Sequence, residues 1–215
     1  MKMKTNRMAV VAAIVAMGVS CPTWAYITGV MVDSVTSQQD ARLASYTIDS
    51  DPGTFDPVAG TLKATDRGWM TKGTDYPYPA IVYNLGAVYD LASIQIWNWN
   101  QTGFTLQGAS SVNIAIAGAN KVFAALGTET YALAQAPGAD GYTGQSIAAN
   151  VNDVKYVRVT FLTSGYATDG YYNRGGENWK NETGLGKVEF SAVPEPSALA
   201  LGLVGLLAYA WRKRK

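Results

Sequence analysis

Polar and apolar positions divide the chain into three stretches of different texture. Met8 to Val19 is uncharged and mostly apolar, and Ala198 to Trp211 is a second apolar run. Between them the pattern has period two. Ser111 to Ala117 sets Val112, Ile114 and Ile116 against Asn113 and Ala115, and Tyr156 to Leu162 sets Val157, Val159 and Phe161 against Arg158 and Thr160. Ala80 to Leu85 reads as a strand ending at Gly86. Leu91 to Trp97 follows after a tight connection, and Lys187 to Ser191 makes a closing strand. Alternation of this kind buries one face and wets the other, as in an antiparallel sandwich. No stretch of the middle carries a helical 3.6-residue period. Frequent Gly, Asn, Asp and Pro between short β-branched and aromatic runs predict an all-β domain. The expected fold class is an all-β antiparallel sandwich or jelly roll, flanked by an N-terminal signal helix and a C-terminal apolar helix.

The two flanking runs carry address information. Lys2, Lys4 and Arg7 precede the first run, and Pro22 and Thr23-Trp24-Ala25 follow it. Basic, apolar, then small-residue is the layout of a secretory signal peptide, with cleavage expected after Ala25. Cys21 offers a rival reading as a lipidated cysteine, but Gly18-Val19-Ser20 lacks the Leu usual upstream of such a site. The second run spans about 14 residues, short of the roughly 20 that a spanning helix needs. Arg212-Lys213-Arg214-Lys215 would hold its end on the cytoplasmic face. The expected organisation is therefore a signal peptide at 1–25, a β-sandwich at 26–192 and a sorting segment at 193–215.

A tail anchor does not account for Pro194, Glu195 and Pro196 immediately ahead of the apolar run. Pro-Glu-Pro, a short apolar helix and a terminal basic cluster together resemble the PEP-CTERM sorting signal. The resemblance implies a Gram-negative bacterium that makes exopolysaccharide, and an exosortase that removes the tail. It also implies contact with the membrane only through the transient C-terminal helix, and delivery to the cell envelope or extracellular matrix.

Setting both ends aside changes the electrostatics. The leader holds three bases and the tail four bases and one acid, so of the chain's 17 bases and 16 acids the middle keeps 10 and 15, a net charge near −5. Nucleic acid is not an expected partner of such a domain. The single cysteine, Cys21, lies in the leader, which leaves no intrachain disulfide, and the chain has no histidine.

Five phrases of the middle look like the discoidin branch of the galactose-binding-like fold (the coagulation-factor C-type domain). They are Asp66-Arg67-Gly68-Trp69, Ile81 to Gly86, Tyr89 to Asn100, Lys155 to Val159 and Gly184 to Phe190. The resemblance implies an antiparallel jelly-roll β-sandwich of about eight strands, used as a binding module with ligand loops at one end.

The loops are rich in aromatic and polar residues. Trp99 and Phe104 leave one strand, and Ser164 to Thr183 carries Tyr166, Tyr171, Tyr172, Arg174 and Trp179. Aromatic faces stack on the apolar faces of sugars while Asn, Asp and Arg satisfy hydroxyls, so these seven are the candidate ligand residues. No cofactor is required, but a structural calcium is a candidate. Asp49, Asp51 and Asp56 supply hard oxygen ligands, and turn chemistry alone also explains them. The resemblance places a calcium between an early loop and a glutamate on the last strand; Lys187 stands at that position here, with Glu189 two residues on. Catalysis finds little support. No His or mature Cys is present, and Asp33, Asp66, Asp75, Glu177 and Glu182 are carboxylates that no spacing pairs. The expectation is an exported, non-enzymatic module that meets the secretion machinery and an exosortase and binds polysaccharide or surface glycan. The alternatives are a structural or adhesive matrix protein and, behind it, a glycoside-active enzyme.

Overall fold

The computed structural model describes residues 25–193, except 50, 52, 57, 65, 66, 73–77, 128, 129, 163–172, 175, 176 and 179–181, together with residue 212; at 173, 174, 177 and 178 it describes the backbone alone. The expected signal helix and C-terminal helix, and with them Pro194, Glu195 and Pro196, lie outside the described residues. Among the described residues no helix is long and apolar enough to cross a membrane. Tyr26–Ala192 form one compact unit, separate from a second made of the two ends. The main apolar cluster, from Ile27 to Ala192, lies wholly inside the first unit, so that unit carries its own core.

The strands are β1 (Ala25–Tyr26), β2 (Met31–Val35), β3 (Phe55–Asp56), β4 (Thr61–Leu62), β5 (Trp69–Met70), β6 (Ala80–Asn98), β7 (Ser111–Ala117), β8 (Ala124–Ala125), β9 (Tyr131–Ala132), β10 (Gln145–Phe161), β11 (Asn173–Arg174), β12 (Glu177–Asn178) and β13 (Gly184–Ala192). Their hydrogen-bonded order is β1-β13-β6-β10-β7-β8, with β2 also on β6, β5 on β13 and β9 on β7. Every ladder is antiparallel.

Two long strands turn this ribbon into a sandwich. Ala80 to Asn84 of β6 pair with β2 and with Tyr156–Thr160 of β10, whereas Leu91 to Asn98 pair with β13 and with the start of β10. The register of β10 slips between Ala148 and Tyr156, where Asn150 and Asp153 take φ of 51° and 60°. Such bulges bend a strand and raise its twist. On β6 the bend falls at Gly86, with φ of 86°. The sequence reads two strands here, 80–85 and 91–97, because Gly86 and Asp90 look like punctuation. The structure keeps one strand through the bend, since its partner β10 bulges alongside it.

Folding β6 and β10 over sets two apolar faces against each other. Tyr83 of one layer meets Phe190 of the other at 5.3 Å between ring centres, and Trp69 meets Phe161 at 4.7 Å. The alternating positions Val157, Val159 and Phe161 are all buried, as their period predicts. The Tyr83 hydroxyl, in the dry interior, is satisfied by Thr47 Oγ1 at 3.0 Å. Outside the second layer, the β3–β4 hairpin packs Phe55 and Leu62 on Trp97.

The bend also defines two ends. Strand β6 both begins and finishes at one end, where Phe161 N donates to Pro79 O, Leu162 N to Ser111 O, and Thr71 N to Thr183 O. At the other end lie Gly86 to Asp90 and the last residue of β13, Ala192, which pairs with Leu91. The long connections gather at the first, which we call the loop end.

Asn98 holds that end together. It is 1% exposed. Its Nδ2 donates to Ala109 O at 2.7 Å and Ala134 O at 3.0 Å, and its Oδ1 accepts from Trp99 N at 3.0 Å and Ala109 N at 2.9 Å. Both side-chain donors and the acceptor are used, and three backbone segments are tied to one amide. Asn98→Asp keeps the shape but removes both donors and sets a carboxylate against two carbonyls. We expect it to lower stability by about 3 kcal/mol or more in urea denaturation, with the slope unchanged.

Candidate functional site

The loop end is built from three short pieces of chain. The first is the turn between Gln39 and Arg42, closed by Arg42 N donating to Gln39 O at 3.1 Å. It is pinned to β5 by Gln39 N to Met70 O at 2.9 Å and Met70 N to Arg42 O at 3.3 Å. The second is the 3-10 turn Thr105–Gln107 following Phe104. The third is Glu182-Thr183, clamped by Thr71 N to Thr183 O at 3.0 Å and by Thr183 N to Thr71 Oγ1 at 2.8 Å.

These pieces converge on Glu182. Gln39 Nε2 donates to its Oε1 at 2.7 Å, and Gln107 Nε2 to its Oε2 at 3.4 Å. Burial raises the Glu182 pKa above its ordinary value, while the charge of Arg42 and the Gln39 hydrogen bond pull the other way. Arg42 lies over the Trp99 ring with Cζ 4.8 Å from its centre. Beneath, the ring is backed by Gly184, where a Cβ would come within 2.9 Å of it. A guanidinium, a half-buried carboxylate and two amides thus form one polar cluster around an indole. Such a set offers donors and acceptors in several directions, which suits a polyhydroxylated ligand.

The candidates read from the sequence fare unequally. Trp99 is 0% exposed, with Arg42 on one face and Gly184 on the other, so its ring is a support for the cluster rather than a surface for stacking; that is a correction. Phe104 is half-buried and starts the turn that delivers Gln107. The Arg174 backbone pairs with Glu177 in the β11–β12 ladder, so the segment from 164 to 183 carries a ladder of its own. Tyr166, Tyr171, Tyr172 and Trp179 lie outside the described residues; they belong to the stretch of chain that ends at Glu182. Gln39, Arg42 and Gln107 were not singled out. Their only sequence signal is weak, because they are scattered over loops with no motif spacing. Among the five carboxylates considered for catalysis, Asp33 is engaged elsewhere, with Lys121 at 2.8 Å.

The donor set proposed for calcium does not fit a metal. Arg67 Nη2 and Nη1 hold Asp49 Oδ2 and Asp51 Oδ2, both at 2.6 Å. Asp56 Oδ1 accepts from Val58 N and Ala59 N at 2.9 and 3.0 Å, an Asx turn. Glu189 faces Lys187 Nζ at 3.4 Å. The Lys187 side chain is 3% exposed, donates to Asp49 O at 2.7 Å and sits 4.4 Å from the Phe55 ring centre. Lysine and arginine hold oxygens that a divalent ion would need, so the four acids stand in three ion pairs and a turn. Among the described residues no group of three or more acidic side chains converges on a point.

The chain matches the structure of a family 32 carbohydrate-binding module from a family 31 glycoside hydrolase of Clostridium perfringens, with TM-score 0.55 and 17% identity over 79% of this chain and 94% of that one. The family 32 module of C. perfringens NanJ, solved in complex with galactose, gives 0.51 and 16% over 78% and 98%. An F5/8 type C domain from Bacteroides fragilis gives 0.53 and 16% over 80% and 98%. The fold is that of the galactose-binding-like modules. Residues 192–215 carry a PEP-CTERM protein-sorting motif. That motif marks an exported protein processed by an exosortase. No curated protein matches the chain in sequence.

Two outcomes follow. Lys187→Ala strands the Asp49 carbonyl and Glu189; it should cost about 2 kcal/mol, whereas EDTA should leave the wild-type melting temperature unchanged. Glu182 binds its proton more tightly when folded, so the stability it contributes is full below the ordinary glutamate pKa and is lost as pH rises through the raised folded value. Measured between about pH 4 and pH 7, wild-type stability should fall relative to Glu182→Gln.

Proposed function

We propose that the Tyr26–Ala192 unit is a non-catalytic glycan-binding module of the cell envelope or exopolysaccharide matrix of a Gram-negative bacterium. The observation that carries this reading is the Gln39, Arg42, Gln107 and Glu182 cluster at the loop end. Hydroxyls of a sugar would exchange hydrogen bonds with Glu182 and the two amides, and Arg42 would add a charge-assisted donor. Because Trp99 is covered, the aromatics offered for stacking are the sequence candidates Tyr171, Tyr172 and Trp179, outside the described residues. The NanJ module, of the same fold, was solved with galactose, which supports a sugar as the ligand class. Release of the sorting tail by an exosortase would follow transient anchoring by the C-terminal run.

The test is a glycan array followed by calorimetry on the 26–192 unit. Arg42→Ala and Glu182→Ala should each weaken binding about tenfold, or roughly 1.4 kcal/mol, with both variants still folded by circular dichroism. Binding should also strengthen as pH rises through the Glu182 titration, since the ionised carboxylate is the better acceptor. A wild type that binds no glycan and forms large assemblies by light scattering would favour a structural matrix protein instead. Release of reducing ends from matrix polysaccharide would restore the enzyme reading.

A further inference from the structure

A second place is equipped for a ligand, away from the loop end. On the outer face of the layer formed by β7 and the second half of β10 lies a groove of about 260 Å³, lined by Asn113, Ala115, Ala125, Leu126, Arg158 and Thr160 among others. The alternation that sends Val157, Val159 and Phe161 inward puts Arg158 and Thr160 outward. Their partners on β7, Ala115 and Asn113, stand beside them. Ala125 and Leu126 continue the floor, with Leu126 N bonded to Ile114 O.

Arg158 is the unusual member. Its guanidinium is stacked on Phe123, Cζ 4.7 Å from the ring centre. Its Nε is buried and has no hydrogen-bond partner. Three other cations of this acidic domain hold carboxylates: Arg67 takes Asp49 and Asp51, Lys121 takes Asp33 and Lys187 takes Glu189. Arg158 has no ion-pair partner among the described residues. A buried guanidinium N–H left without an acceptor is costly, at roughly 1–3 kcal/mol. Stacking occupies a ring face and leaves the in-plane N–H donors as the groups that can be satisfied. Those donors match a planar oxyanion in a bidentate pair.

We infer that the Arg158 groove binds the carboxylate of a uronic-acid residue in an acidic polysaccharide. The guanidinium takes the carboxylate, Asn113 and Thr160 reach ring hydroxyls, and Ala115, Ala125 and Leu126 accept the apolar face of the sugar. The groove is smaller than the ~300–1,000 Å³ of drug-sized sites, so it holds about one monosaccharide unit. The choice of a sugar acid over a free carboxylate rests on the glycan reading above; the oxyanion site itself does not. Two sites on different faces would let one module bridge neighbouring strands of a matrix, with avidity beyond either affinity.

The test is an amide-shift titration of the 26–192 unit with an oligogalacturonate, a neutral galacto-oligosaccharide and acetate. Oligogalacturonate should shift the amides of Asn113, Ala115, Arg158 and Thr160 saturably, and added salt should weaken the effect. Arg158→Gln should weaken it at least tenfold and Arg158→Lys less, both at wild-type melting temperature, whereas Arg42→Ala should leave it intact. Equal shifts of these amides from the neutral oligosaccharide, or an unaltered titration in Arg158→Gln, would overturn the site. Saturation by acetate at equal affinity would overturn the sugar-acid assignment. Loss of glycan-array binding in Arg42→Ala with the uronate shifts retained separates the two sites.

Discussion

Everything at the loop end depends on a buried amide. Asn98 stands where β6 leaves the sheet, and its side chain reaches Ala109 and Ala134, on two connections that sequence places far from each other. Without those bonds the residues beyond β6 have no fixed address. With them, Trp99 lies flat against Gly184, Arg42 rests on Trp99, and Gln107 is carried to Glu182. The order of dependence runs from backbone satisfaction, to an aromatic support, to the polar groups on top. An amide can do this because it donates twice and accepts twice in one plane, and in a dry site each such bond must be made or paid for.

The same economy of charge runs through the second layer. Lys187 is buried on β13, and its ammonium joins the Asp49 carbonyl, Glu189 and the Phe55 ring. Arg67 closes the neighbouring acids, Asp49 and Asp51. Desolvation lowers the Lys187 pKa, and the nearby Glu189 and Asp49 oppose that shift. The cation that ties the early loop to the last strand is therefore covalently part of the chain. A tethered ammonium cannot be removed by chelation, and it needs fewer oxygens than a divalent ion, which typically takes six to eight in the case of calcium.

Charge also separates the two proposed glycan contacts. At the loop end Arg42 works beside a carboxylate, which balances it and suits neutral hydroxyls. In the β7–β10 groove Arg158 has an aromatic ring, apolar residues and the neutral Asn113 and Thr160 beside it, which suits an anion. A domain with an excess of acids would repel a polyanionic glycan overall, so a cation left without an acid partner becomes the natural point of approach.

The sequence by itself determined the fold class, the two-sided character of β7 and of the second half of β10, and the sorting tail. Alternation needs only local order to be read, and the tail's signal is contiguous. Residues such as Val157, Val159 and Phe161 could be placed from their spacing alone. The sequence misjudged β6 because a glycine breaks a strand unless the neighbouring strand bulges with it, and that partner lies some sixty residues on. It took Trp99 for a ligand surface because a buried aromatic and an exposed one look alike without their neighbours. It marked Lys187 at the edge of a possible calcium set, but it could not show that the ammonium reaches the Asp49 carbonyl or that Arg67 holds Asp49 and Asp51. Only the tertiary structure could bring Gln39, Arg42, Gln107 and Glu182 together: four residues from three loops share no spacing, and it is the closing of β6 onto β13, held by Asn98, that makes them neighbours.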